Sequence, residues 1–525
     1  MKRGTLLGAL LLVMLVMQVG LALRHSLWAD EVFSLAMATG HSVEHPAAQA
    51  DVSQGDFVET ERPVPAQELR RYTEFTEPAR GLESVLRAVT ISDTSPPLYY
   101  FLLHGWTRLW GTSDLALRMF SIVCALACVP LIIATGREIE SEKTGWIAAG
   151  LFAMTPVAIY YSSEGRMYSL LWLCLMLAAY ATVRLYQGTA TWRWHAIWVT
   201  AGAAGMLIHY YFVFPLMALS LFLLLRKGAD RRWKWAARIA VVFVLILPWY
   251  LTLPETLSAW RITQQWVGMQ PPGYNRLRIA RDLVVQYFSG YGHYLWGMNR
   301  PAELAALAVF TVAGGATWWR WGARVFAGPK LMLWLWFLAA ALGPLLADVA
   351  RGTYVAAYLR YSSAAMPAAC LLGGLVLSSW RDSLSWTGLL LIGLCWSPAV
   401  ASIYLTRSRS GQPAADVAKH ISSHGRVDDL ILVHSIPTGA ILLARYATTP
   451  GAFGTWVGQL GQRRVPESLL PLLEGRSRVH FVKIHTVGEP APEEAWLREN
   501  ANVIKEKRLG DALITEFHPR GRERF

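Results

Sequence analysis

Five cysteines in 525 residues are too few and too scattered to form a disulfide framework. Cys124, Cys128, Cys174, Cys370 and Cys395 all lie inside apolar stretches, without the spacing of a metal site, and read as small apolar fillers. Charge is also scarce. Asp, Glu, Lys and Arg make up 16% of the chain against 54% apolar residues, which excludes one ordinary soluble core. Acids are scarcer than bases, 36 against 49, giving a formal charge of +13. In a soluble protein that excess would raise the question of nucleic acid. Here the bases sit in short connectors between apolar runs, where anionic lipid headgroups are the partner, so nucleic acid is not expected. The chain also shows no internal repeat of the transporter kind, and its last hundred residues carry no phosphate loop or hydrolase elbow.

What the chain does have is long hydrophobic runs. About eleven read as membrane spans, at 4–23, 116–135, 144–161, 167–184, 196–212, 213–225, 236–253, 302–319, 331–347, 355–378 and 386–404. Segments near 20 residues fit a hydrocarbon layer of about 30 Å. The fifth and sixth form one run divided near Pro215. The first run, after Met1-Lys2-Arg3, is longer than a signal core and lacks a small-x-small cleavage site before Arg24, so it reads as an uncleaved helix. With Lys2 and Arg3 in the cytoplasm, the inside connectors carry Arg137, Lys143, Arg184, Arg193, Arg226, Lys227, Arg231, Arg232, Lys234, Arg320, Arg324, Lys330 and Arg381. That consistent record places residues 24–115, the 254–300 loop and the C-terminal tail outside.

The expected fold is therefore a polytopic α-helical membrane protein with a small C-terminal extracytoplasmic α/β domain. The expected division is a membrane domain over 1–405 and a soluble domain over 406–525. Within the membrane domain, 24–115 is a first outer loop with surface helices, including 66–74, 81–89 and an aromatic helix over 96–110. In the soluble domain, 428–434 and 478–484 read as buried strands and 437–446 as a helix.

Polar clusters recur at the outer ends of the spans. Asp30 and Glu31 stand just past the first run and, being adjacent, would diverge by about 100° on a helix, so they need not share one job. A carboxylate there is hydrated and aimed at a substrate arriving from the bilayer; the same pair also suits an N-cap with a first-turn acid. Asp93 precedes the rigid Pro96-Pro97 pair, which suits either a catalytic or metal-binding acid or an ordinary helix start. Arg166, with Glu164 and Tyr168 close in sequence, is placed either to grip a phosphate through two oxygens or to pair internally with an acid. His209, Tyr210 and Tyr211 fall near the outer end of the fifth span, and Asp348, Arg351, Tyr354, Tyr358, Arg360 and Tyr361 cluster across the ninth and tenth. Arg360 is the stronger phosphate-binding candidate. Gln264, Gln265, Trp266 and residues 290–296 mix hydrogen-bonding groups with aromatic faces, as sugar-binding surfaces and membrane anchors both do.

Taken in order, Trp28-Ala29-Asp30-Glu31, Asp93 to Tyr100, Ser163 to Tyr168, His209-Tyr210 and Tyr358 to Tyr361 resemble the bacterial relatives of protein O-mannosyltransferases and of the lipid A aminoarabinose transferase. These are integral-membrane glycosyltransferases of the GT-C type. The resemblance covers the membrane half, especially 1–225, and implies inverting transfer of a hexosyl or pentosyl group from a polyprenyl-phosphate donor to an acceptor hydroxyl on the outer face of a bacterial inner membrane. It implies Asp30, Glu31 and Asp93 as catalytic residues, Asp30 as the acid of the Asp-Glu signature with Glu31 beside it, and Asp93 as the acid before a His-Pro-Pro motif in which Ser95 here replaces His. It further implies Arg166, Tyr168, His209, Tyr210, Arg360 and Tyr361 at the donor phosphate or sugar. A divalent cation near Asp30 and Asp93 occurs in some members, and no cofactor is required by the residues alone. A flippase of lipid-linked saccharides and a noncatalytic envelope assembly protein are the competing classes.

Overall fold

The computed structural model describes residues 3–520 except 46–49, 59–61, 77–79, 93–94, 189–190, 226–228, 254–266, 291–298, 407, 424, 457–468 and 486–490. Contacts divide the chain into two units. One is Met1–Ala22, Arg118–Leu253 and Thr263–Thr406; the other is built mainly from Leu23–Leu117 and Arg407–Phe525.

The first unit is a helical membrane body. Among the described residues, eight helices are long and apolar enough to cross a bilayer: Arg3–Arg24 (α1), Asp114–Ile139, Tyr168–Tyr186, Arg232–Tyr250, Arg300–Phe326, Pro329–Arg351, Leu359–Ser378 and Asp382–Leu405. A ninth is counted if Glu142–Met154 and Pro156–Ser162, bent by 63°, make one broken span. The break falls at Thr155, which is extended (φ −66°, ψ 130°) because the ring of Pro156 disfavours a helical residue before it.

The expectation of about eleven spans is corrected here. The fifth and sixth runs form the 15-residue helix Trp192–Met206 and the 12-residue helix Val213–Leu224. At 1.5 Å per residue these reach only about 23 and 18 Å, short of a bilayer core. The division comes at His209, before Pro215. His209 is extended (φ −155°, ψ 130°), and its Nδ1 accepts the Tyr211 N–H at 3.2 Å, so the side chain caps the new turn. Small residues bring helices together elsewhere: a Cβ on Gly374 would stand 2.8 Å from the Ala148 Cβ and from the Thr144 carbonyl oxygen.

The second unit holds the polar start of the chain's outer segment and a five-stranded sheet. Ala29–Ala38 (α2), Leu82–Ser92 and Leu98–Trp110 are its longer N-terminal helices. The last is amphipathic, burying Tyr99, Tyr100, Leu103 and His104 and exposing Leu109 and Trp110, which fits a surface helix of 13 residues. The strands are Asp429–His434 (β1), Ala452–Trp456 (β2), Arg478–Lys483 (β3), Ala501–Leu509 (β4) and Ala512–Pro519 (β5). They lie in the order β2-β1-β3-β5-β4, with β2, β1 and β3 parallel and β5 and β4 added antiparallel. Strand β1 is buried along its whole length, as a central parallel strand covered on both faces must be. Strand β4 is an edge and carries Lys505, Glu506, Lys507 and Arg508, which guard it against further pairing. Val64 of the first outer segment pairs with Phe453 of β2 through N–H···O bonds of 2.9 and 2.7 Å. The protein is a polytopic α-helical membrane protein with a small extracytoplasmic β/α domain at its C-terminal end.

Candidate active site

The acids stand at the start of α2. Glu31 is fully buried, and its Oε2 accepts the Trp28 backbone N–H at 3.3 Å, the reach-back of a capping carboxylate to its own helix start. Asp30, one residue earlier, is half-buried, and its carbonyl accepts the Ser34 hydroxyl at 2.9 Å. Both carboxylates lie in the first turn, where the helix dipole favours negative charge. Asp93 lies outside the described residues, as do Gln264, Gln265, Trp266 and residues 291–296.

The backbone that leads into this turn is held from far along the chain. Leu27 N–H donates to the Tyr446 hydroxyl at 2.7 Å, and Ala29 N–H donates to Gln412 Oε1 at 2.9 Å. The Tyr446 hydroxyl donates in turn to Asp114, whose other oxygen takes the Arg445 Nε at 2.8 Å. Burial, then the neighbouring Asp114 carboxylate, pushes the Tyr446 phenol well above its ordinary range, so it remains a donor.

The cations and rings gather in the membrane unit. The short helix Pro156–Ser162 ends in a turn in which Arg166 N–H donates to the Glu164 carbonyl at 2.8 Å, while Ser121 Oγ donates to the Arg166 carbonyl at 3.1 Å. Glu164 is buried and Arg166 only 9% exposed. Tyr168 opens the next span, with its ring 4.9 Å from that of Tyr161 and 6.5 Å from that of His209. His209 in turn lies 5.6 Å from Tyr211 and 6.1 Å from Tyr361, and the charges of Arg166 and Arg360 both act on it. Because His209 Nδ1 accepts the Tyr211 N–H, its ring proton belongs on Nε2. The Arg360 guanidinium stands 5.3 Å from the ring centre of Tyr361 and 5.6 Å from that of Tyr358.

Asp348 fixes the chain that delivers Arg360. Its carboxylate accepts the Thr353 hydroxyl at 2.5 Å and the N–H groups of Val355 and Ala356 at 3.1 and 2.7 Å. Those bonds explain a buried acid at the outer end of the ninth expected span. Tyr210 is placed differently from its neighbours: its hydroxyl accepts the Trp249 indole N–H at 3.2 Å, and its ring meets Tyr250 at 5.7 Å.

The structure thus brings Arg166, Tyr168, His209, Arg360 and Tyr361 into one cluster. Among the described residues no group of three or more His, Cys, Asp or Glu is arranged to hold a metal ion. Three polar residues were not foreseen from the sequence. Arg118 is fully buried and donates to the Ala22 carbonyl at 2.6 Å; a lone charge inside an apolar run was its signal. Gln412 and Tyr446 left no such signal, since each acts on backbone some 400 residues away in sequence.

Residues 94–251 match the family described as dolichyl-phosphate-mannose-protein mannosyltransferase. No curated protein matches the chain by sequence. Among solved structures, ArnT from Cupriavidus metallidurans in the apo state superposes with a TM-score of 0.61 at 12% identity, covering 98% of both chains. The same protein bound to undecaprenyl phosphate gives a TM-score of 0.59 at 13% identity, again covering 98% of both chains. A likeness along almost the whole of both chains is a likeness of fold, and the protein is accordingly a polytopic membrane protein of the GT-C fold that resembles ArnT- and PMT-type glycosyltransferases.

Proposed function

We propose that the protein is an inverting glycosyltransferase that moves a sugar from a polyprenyl-phosphate donor to an acceptor hydroxyl on the outer face of a bacterial inner membrane. The observation that carries this reading is the Arg166, His209, Arg360 cluster, where two guanidinium groups and a neutral imidazole N–H stand among tyrosine rings. Such donors suit a phosphate that must gain charge in a water-poor place. The undecaprenyl phosphate bound to the ArnT fold supports a polyprenyl carrier.

In the reaction, the acceptor oxygen attacks C1 of the sugar and gives its proton to the Asp30 carboxylate. The C1–O bond to the lipid phosphate breaks, and that phosphate leaves with its new charge held by Arg166 and Arg360. A phosphate leaves without being protonated, so a second carboxylic acid is not needed, unlike in glycoside hydrolysis. Glu31 keeps the helix start in place, Tyr168 and Tyr361 frame the cluster, and Tyr210 anchors its flank. No step is given to a metal. A cation bound by Asp30 and Asp93 would show as transfer lost on chelation and restored by Mg²⁺ or Mn²⁺.

The test uses purified protein in vesicles with a panel of radiolabelled polyprenyl-phosphate sugars, with and without Asp30→Asn. General-base catalysis contributes roughly 10²–10⁴-fold, so transfer should fall by that factor in the variant. Unchanged transfer in Asp30→Asn would remove Asp30 from its role. Lipid movement across the bilayer without bond cleavage would make the protein a flippase.

A further inference from the structure

The first backbone N–H groups of a helix have no partner within the helix and must find one elsewhere. At the start of α2, the N–H of its first residue, Ala29, is met by Gln412 Oε1 at 2.9 Å, and just ahead of the N-cap Trp28 the Leu27 N–H is met by the Tyr446 hydroxyl at 2.7 Å. A backbone N–H can only donate, so the Gln412 oxygen must face Ala29 and its amide nitrogen must face His485 Nδ1, 2.7 Å away. His485 therefore accepts there and carries its proton on Nε2. Gln412 is 4% exposed and bridges the two partners with both ends of its amide.

The turn that presents Gln412 is built for the purpose. Arg409 to Gln412 is a tight turn closed by Gln412 N–H donating to the Arg409 carbonyl at 3.0 Å, with Ser410 (φ 51°) and Gly411 (φ 73°) both left-handed. A serine in that region is strained and persists only where its surroundings hold it. Asp511, in the β4–β5 hairpin turn, donates its N–H to the Gly411 carbonyl at 3.0 Å, and a Cβ on Gly411 would lie 1.9 Å from the Asp511 Oδ2. The turn thus presents one side chain to the residue next to Asp30.

We propose that Gln412 and Tyr446 are positioning residues for sugar transfer, and that the C-terminal domain forms part of the catalytic apparatus by fixing the helix start that carries Asp30. This rests on Asp30 acting as the base. A misplacement of about 1 Å is worth on the order of 10²-fold in rate, whereas binding of the lipid phosphate does not depend on the carboxylate.

The test compares Gln412→Met, which keeps length and removes both hydrogen bonds, with Gln412→Glu, which keeps an oxygen for Ala29 N–H while the His485 proton moves to Nδ1. In Gln412→Met, kcat should fall about 10–100-fold with donor KM unchanged, and backbone amides over 27–35 should exchange faster with deuterium. Gln412→Glu should restore both. Tyr446→Phe should show the same split and stands in if Gln412→Met does not fold. Unchanged exchange over 27–35, or faster exchange with unchanged kcat, overturns the proposal. Wild type and Asp30→Asn run alongside: transfer that survives in Asp30→Asn rejects the base itself, while transfer lost in Asp30→Asn but normal in Gln412→Met rejects only the positioning role.

Discussion

The start of α2 and the Arg166–His209–Arg360 cluster are held in place by different means. The backbone that leads into the acids is held by hydrogen bonds that Ala29 and Leu27 donate to Gln412 and Tyr446, near the other end of the chain. The cations are set by ring packing and by local turns, such as the Asp348 cap before Arg360. On the proposed mechanism a base must meet one hydroxyl in one geometry, which directional bonds to the turn at Gln412 and the helix end at Tyr446 suit. A phosphate spreads its charge over several oxygens, and guanidinium groups over tyrosine rings tolerate small shifts.

The contrast breaks most sharply at Arg360. Arg360→Ala should lower kcat/KM for the donor by about 10²–10³-fold, the cost of removing a preorganised donor from a developing anion. Arg360→Lys should recover only part, since an ammonium lacks the planar fork. Steady-state kinetics in vesicles check both; an alanine variant with unchanged donor kinetics would remove Arg360 from the phosphate site.

At the acid end, Glu31→Ala should cost about 1–2 kcal/mol of stability, seen as a lower melting temperature in detergent, because the Trp28 N–H loses its partner. Glu31→Gln keeps an acceptor and should retain both stability and transfer. Transfer abolished in Glu31→Gln at normal stability would instead make Glu31 a charge the reaction needs.

A third charged place shows what a closed network does. In the sheet, Arg478 donates to Asp429 at 2.6 and 3.0 Å and to Glu516 at 3.1 Å, and His480 meets Asp429 at 3.3 Å. Burial opposes the Asp429 charge, yet the hydrogen bonds from His480 and Arg478 outweigh it and hold the carboxyl well below the usual range. A depressed carboxylate stabilises above its unfolded pKa of about 3.9, and that stability is lost as pH falls through the folded value. The acid limb of the melting curve should therefore flatten in Asp429→Asn, while an unchanged limb would deny the linkage. The smallest effect is expected at Ser410, where glycine should stabilise by up to about 1 kcal/mol without altering transfer.

The sequence disclosed whatever repeats along the chain. Apolar periodicity located β1, β3 and the helix Pro437–Tyr446 almost to the residue, and lone charges at span ends pointed to Arg166 and Arg360. Strands β4 and β5 escaped notice because an edge strand such as β4, with Lys505 to Arg508, shows no apolar alternation. The break at His209 escaped because an imidazole capping a backbone N–H leaves hydropathy unchanged. Gln412 and Tyr446 act across nearly the whole chain, a distance no local pattern spans.

Transfer by a single displacement, with Asp30 as base, is tested most directly by the anomeric configuration of the product. A donor of known anomer, incubated with the wild-type protein and its acceptor, should yield the opposite anomer by NMR. A product with the donor's own configuration would require two successive displacements or attack from the leaving-group face, and either would contradict the role assigned to Asp30.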